Sequence, residues 1–239
     1  VKTEPPTVVV DRQGNGDYVT ITEALKAVKS GTRILIRPGV YKEGIVIDKS
    51  VEIIGDGERN KIVIEASDKD TVLFETHYGR LANLTLRQAG GKWWKIIDYW
   101  YAVKIAQGKL NLEDCDISSK GSLACVNICG GADPLMRRNY IHDGEGSGVS
   151  VTENGQGTLE DNDIFANVGV GVVIGEGGKP TLRRNRISQN GRGGIFVGKS
   201  FGGYGGGIFE NNDLRGNTEG AWSIAPECEA RVQRRGNIE

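Results

Sequence analysis

The sequence predicts an all-β fold, a single-stranded right-handed parallel β-helix with about 23 residues per coil and a short N-terminal capping helix. Three observations predict it. The first is a recurring motif: Leu110-Asn-Leu-Glu-Asp-Cys-Asp-Ile117, Leu135-Met-Arg-Arg-Asn-Tyr-Ile141, Leu159-Glu-Asp-Asn-Asp-Ile164 and Leu182-Arg-Arg-Asn-Arg-Ile187, then weaker copies ending at Leu214 and Ile238. The closing aliphatics step by 24, 23, 23, 27 and 24 residues. The second is an alternating run in each unit, Val103/Ile105, Val126/Ile128, Val149/Val151, Val172/Ile174 and Ile195/Val197, whose first members step by 23. Alternation bounded by Gly, Asn and Asp is the pattern of a half-buried strand, and a solenoid is the architecture in which such units stack. The third is charge. One column reads Glu113, Arg137, Glu160, Arg183, Glu210 and the next Asp114, Arg138, Asp161, Arg184, Asn211, so sign alternates from coil to coil. Stacked neighbours attract only if the coils lie in this order.

A ladder accompanies the columns. Asn139, Asn162, Asn185 and Asn212 stand two places before the closing aliphatic, with Cys115 in that place in the first clear copy. In register, their amides can bond one another and the turn backbone, a structural role. Asn167, Asn190 and Asn217 form a second such column.

In chain order, residues 1–10 carry Glu4-Pro5-Pro6 and read as a linker, and 11–239 as the β-helix domain, with repeats clearest over 103–239. Thr20-Ile-Thr-Glu23 is a capping box opening a helix over about 21–29, whose Ile21, Ala24, Leu25 and Val28 share one face and suit it to cover the open end of the core. The runs from Ile34, Ile45, Val51 and Ile62 are the first coils of a stack of about eight. Residues 90–101 are an insertion holding three of the four tryptophans, and Lys199 to Gly207 is a second, Gly-rich one.

Two stretches carry a resemblance. Gly14-Asn-Gly-Asp-Tyr18 with Thr20-Ile21 and Ala24-Leu25, followed by Arg37-Pro-Gly-Val-Tyr-Lys-Glu43, resembles the start of the pectin-lyase-like superfamily, pectin methylesterases included. Gln156 to Asn167 and Gly178 to Ile187 are similar to the carbohydrate-binding and sugar-hydrolase (CASH) repeats of the eleventh F-box-only protein and its bacterial relatives. The resemblance implies a β-helix that binds or cleaves acidic polysaccharides through acidic pairs, or calcium-binding Asp clusters with an Arg or Lys base, on one outer face. The catalytic motifs of the methylesterases and of the uronan epimerases are not met; Asp133-Pro134 and His142-Asp143 lie too far apart for the epimerase run.

Net charge is −1, with 30 basic and 31 acidic residues, so nothing points to nucleic acid. No apolar run is long enough to span a membrane, and no signal-peptide layout opens the chain, which leaves secretion open. Cys115, Cys125, Cys129 and Cys228 have no metal-binding spacing; free thiols and a cytoplasmic compartment are expected, with no cofactor and no metal. His142 and Asp143 are the catalytic candidates, just past a closing aliphatic, where Asp116, Asp163, Arg186 and Glu145 could join them. The competing account is that they are solvated turn residues, as isolated histidines usually are. Trp93, Trp94, Tyr99, Trp100 and Tyr101 are the ligand-binding candidates, able to stack on sugar rings or a partner, or else to fold back as packing.

Two functions follow. The principal expectation is a non-catalytic recognition scaffold, part of a larger protein, binding a polysaccharide or a protein partner through one face and the aromatic loop. The alternative is a carbohydrate-active enzyme, a lyase, hydrolase or epimerase on acidic sugars.

Overall fold

The alternation read from the sequence folds as three parallel sheets wrapped around one apolar column. The computed structural model describes residues 4–90, 99–121, 123–200 and 203–239. Among these, the first sheet stacks ten strands from Thr7–Val10 to Val232–Arg235. The second stacks seven, from Gly39–Tyr41 to Arg186–Ser188, and the third eight, from Ile45–Ile47 to Trp222–Ile224. The chain visits first, second and third sheet in turn and pairs each strand with its equivalent one coil away.

Register is set by burial. Ile117, Ile141, Ile164 and Ile187 lie opposite one another in the second sheet and all are fully buried. Val103, Val126, Val149, Val172 and Ile195 do the same in the third. A slip of one residue would turn every such side chain to solvent, so the apolar column locks the pairing.

The polar columns stack as their spacing requires. Glu113, Arg137, Glu160, Arg183 and Glu210 are consecutive partners in the first sheet. Arg137 reaches Glu113 at 2.7 Å and Arg183 reaches Glu160 at 2.9 Å, each Arg bonding the coil before it. At the corner between the first and second sheets, the Nδ2 groups of Asn139, Asn162 and Asn185 each donate to the next Asn Oδ1 at 2.9 Å. Asn212 donates on to Asn237 at 2.9 Å, which lengthens the ladder by one rung. These amides are almost wholly buried, and each also donates to a carbonyl of the preceding coil, so no rung leaves a polar atom unpaired.

The start of the chain differs from the sequence reading. Thr7–Val10, placed in a linker, is a strand paired with Arg33–Ile36, because its Val10 faces the core and its backbone completes an otherwise bare edge. The helix spans Ile21–Ala27 with the capping box formed, and ends earlier than expected since Val28 is already extended. Lys49 Nζ donates to the carbonyls of Leu25 and Val28 at 2.9 and 3.4 Å, satisfying the helix end from the neighbouring coil. Within the Gly-rich insertion, Lys199–Ser200 pairs antiparallel with Gly203–Tyr204.

Candidate active site

In the second sheet, the residue before each buried isoleucine points outward. Asp116, Tyr140, Asp163 and Arg186 therefore form one outward column on four successive coils. The residue after each isoleucine forms a parallel column, with His142 directly opposite Phe165. Their rings stack, centroids 4.9 Å apart and planes 10° apart.

His142 sits between two carboxylates. Its Nε2 lies 3.2 Å from Asp116 Oδ1 on the coil before, and its Nδ1 lies 2.7 Å from Asp143 Oδ2. Consecutive strand residues point to opposite faces, so Asp143 could not do this in extended backbone. It adopts a left-handed conformation, φ 51°, which returns its carboxylate to the imidazole. The hydrogen bond to Asp116 raises the His142 pKa, against the effect of burial, and the bond to Asp143 adds to it. The same bond from His142 holds Asp116 below the usual carboxylate range. Asp163 is moved the other way: burial raises it, opposed by the charges of Arg186 and His142. Its Oδ1 is buried without a hydrogen-bond partner among the described residues, and Arg186 approaches its Oδ2 only to 3.9 Å.

Two grooves flank this arrangement. One, of about 340 Å³, runs along His142, Asp143 and Asp116 to Arg87 and Lys120. The other, of about 590 Å³, follows the corner to the first sheet past Arg59, Tyr140 and Asp163. Among the described residues, no group of three or more His, Cys, Asp or Glu side chains is arranged to hold a metal ion.

Of the residues singled out from the sequence, His142, Asp143, Asp116, Asp163 and Arg186 share this face; Glu145 is exposed and lines neither groove. Tyr140 was missed, although the column before the closing aliphatic contains it and would have found it. Arg59 had no such signal, because it lies in a short turn, Arg59–Lys61, and reaches the carbonyl of Asp114 on a later coil at 3.1 Å. The aromatic candidates lie elsewhere. Trp93 and Trp94 fall outside the described residues, while Tyr99 is exposed and Trp100 and Tyr101 are half-buried where the chain enters the third sheet. Tyr101 is tied down, its N–H donating to Asp70 Oδ1 at 2.7 Å, and burial pushes its hydroxyl up to about 12.

The fold and the face define a right-handed parallel β-helix of the pectin-lyase-like kind. Residues 83–233 match the family described as right handed beta helix region, and the chain belongs to that family. A putative pectinesterase/pectinesterase inhibitor of Arabidopsis thaliana is 37% identical over 70 residues, covering 26% of this chain and 12% of that protein. A pectinesterase of Daucus carota is 40% identical over 68 residues, covering 26% of this chain and 21% of that protein. The matched segment is thus a small part of each relative. Among solved structures, pectin methylesterase from carrot superposes with a TM-score of 0.70 at 17% identity, over 100% of this chain and 84% of that one. Pectate lyase Pel9A gives 0.64 at 13% identity, over 97% and 78%. At these identities the structures speak for the fold alone.

These findings correct the principal functional expectation. A non-catalytic recognition scaffold was expected because no intact catalytic motif is present in the sequence. The relatives matched over that segment are named pectinesterases, which favours the carbohydrate-active alternative over the scaffold. The acidic residues of this face are gathered from separate coils, so no single run in the sequence marks them.

Proposed function

We propose that the chain is a hydrolase of an acidic polysaccharide, working on the outer face of the second sheet. Asp163 is the proton donor, Asp116 the base that activates water, and His142 the positioning residue that holds Asp116. One observation carries the reading: two aspartates in one outward column are pushed in opposite directions by their surroundings. Such divergence is how a carboxyl acid and a carboxylate base come to coexist near neutral pH. Their strands are two apart, roughly 9.6 Å at the backbone from a strand spacing of about 4.8 Å. That spacing, with Tyr140 on the coil between, is close to that of inverting hydrolysis, where carboxyls stand about 6.5–9.5 Å apart. In the step, water gives a proton to Asp116 while its oxygen bonds the reacting carbon, and the leaving oxygen takes the proton of Asp163.

Hydrolysis is favoured over β-elimination by the state of His142. Elimination needs a base to take a carbon-bound proton, whereas both ring nitrogens of His142 face carboxylates, whose hydrogen bonds raise its pKa and favour the protonated ring over the basic one. The basic side chains Arg87 and Lys120 along the groove suit a polyanionic substrate.

The reading also moves the compartment. Free thiols pointed to a reducing interior, yet all four cysteines are buried, and burial pushes Cys115 and Cys125 up to about 12. Thiols so protected are inert to oxidation, and the pectin-modifying relatives lean the chain toward an extracellular setting.

The test is incubation of the chain with polygalacturonate, methyl-esterified pectin and alginate, following reducing ends, methanol and unsaturated product separately. New reducing ends, lost by more than about 100-fold in Asp163→Asn and Asp116→Asn, support the reading. Methanol alone, an unsaturated product, or no product from any substrate sinks it.

A further inference from the structure

The corner groove contains four arginines that are not equivalent. Arg138 bonds Asp114 through Nη2 at 2.7 Å, and Arg184 bonds Asp161 through Nε at 2.8 Å, so both guanidiniums are neutralised. Arg186 lies 3.9 Å from Asp163. Arg59 differs from all three. Its guanidinium lies 4.7 Å over the centroid of the Tyr140 ring, its Nη1 donates to the Asp114 carbonyl at 3.1 Å, and no carboxylate pairs with it among the described residues. A cation laid on an aromatic face is held in place and lightly hydrated on that side, which suits it to receive a planar anion.

The strand after Tyr140 carries Asp163, whose buried Oδ1 has no partner. The groove therefore presents a cation with no carboxylate at ion-pair distance among the described residues, Asp116 acting on it through charge alone. On the coil next to Tyr140, at about 4.8 Å of backbone spacing, it presents the carboxyl of Asp163, whose Oδ2 is approached by Arg186 only to 3.9 Å. One ligand answers both if it carries a carboxylate and an ether or ester oxygen on one rigid ring. Inorganic anions answer only the first.

We propose that Arg59, backed by Tyr140, is the specificity-determining residue of this face and binds the free carboxylate of the sugar unit whose bridging oxygen reaches Asp163. The preferred substrate is then the de-esterified acid rather than the methyl ester. This rests on the reading of the face as a polysaccharide site and adds which chemical form of the sugar it takes. A methyl ester removes the charge and the two-oxygen match to the guanidinium, while the bridging oxygen is unchanged.

The experiment is calorimetric titration of the full chain with trigalacturonate and with its trimethyl ester, repeated on Arg59→Gln and Arg59→Lys. Wild type is expected to bind the acid at least about tenfold more tightly, Arg59→Gln to lose that difference, and Arg59→Lys to keep part of it. Because Arg59→Gln could perturb the corner, the Nε–Hε resonance of Arg59 is followed in wild-type protein, where it should shift with the acid and not with the ester. Equal affinity for the two ligands, no binding of either at millimolar concentration, or an Arg59 resonance unmoved by the acid overturns the proposal. Preference for the acid without any turnover would remove the hydrolase reading and leave the subsite standing. Turnover indifferent to Arg59 would do the reverse.

Discussion

His142 Nε2 lies 3.2 Å from Asp116 Oδ1, which ties an imidazole on the Tyr140–His142 strand to a carboxylate on the coil before it. The bond joins two groups shifted in opposite senses. His142 is raised from 6.5, so its contribution to stability is complete below that value and is lost as pH rises through the folded-state pKa. Asp116 is lowered from 3.8, so its contribution is complete above that value and is lost as pH falls through the folded-state pKa. The window common to both is centred near pH 5. His142→Gln should therefore cost about 1–2 kcal/mol at pH 5 and markedly less at pH 9. Urea unfolding of both proteins across this range tests it; a cost independent of pH would show that the pair is not ionic.

Asp163→Asn separates chemistry from stability. The carboxyl is raised by burial and its Oδ1 lacks a partner, so ionising it costs the folded state at neutral pH. Removing the charge should leave the melting temperature unchanged or higher while activity falls by more than about 100-fold. A substantial loss of stability would return Asp163 to a structural role.

The buried amide ladder should be the least tolerant polar feature. Asn162 Nδ2 donates to Met136 O and Asn185 Oδ1 at 2.9 Å, and its Oδ1 receives the Asn139 amide at 2.9 Å. Asn162→Ala leaves these groups buried and unpaired, for an expected loss of about 2–4 kcal/mol in chemical denaturation. A loss below about 1 kcal/mol would mean that water enters the corner.

Charge order can be tested at Glu160. Glu160→Arg breaks the 2.9 Å bond to Arg183 and places a cation between Arg137 and Arg183 in the stack. Loss of about 2 kcal/mol at low salt, largely recovered at 1 M NaCl, is expected. A melting temperature unchanged at low salt would contradict the observed neighbours.

Gly171 illustrates how closely the coils approach. A Cβ there would stand 2.3 Å from Ile187 Cγ2 and 2.7 Å from Gly194 O, whereas at Gly193 the nearest atom is 3.5 Å away. Gly171→Ala should destabilise by about 3 kcal/mol and Gly193→Ala by less than about 1. Equal effects in thermal melts would show that the coil spacing yields.

Much of this architecture was legible in the sequence because a solenoid repeats itself. Each coil meets the same environment as the last, so a position's role is written several times: the Ile117, Ile141, Ile164 and Ile187 column, the asparagine rungs and the alternating charges needed only their spacing to be read. The capping box at Thr20 and Glu23 is local chemistry and was equally visible. The candidate site was legible only in part. His142, Asp116 and Asp163 could be placed on one face from register, but the return of Asp143 onto the imidazole depends on a left-handed backbone residue. The reach of Arg59 to the coil of Asp114 and over Tyr140 spans 55 residues to the carbonyl and leaves no periodic trace. Thr7–Val10 became a strand for a similar reason: what decides it is the exposed edge of Arg33–Ile36, which exists only once the coils are stacked. Sequence alone determined what recurs, since repetition makes local pattern and tertiary neighbour the same thing. The unrepeated contacts that give the face its charge and its orphaned oxygen were decided by tertiary structure, because each joins residues that share no period.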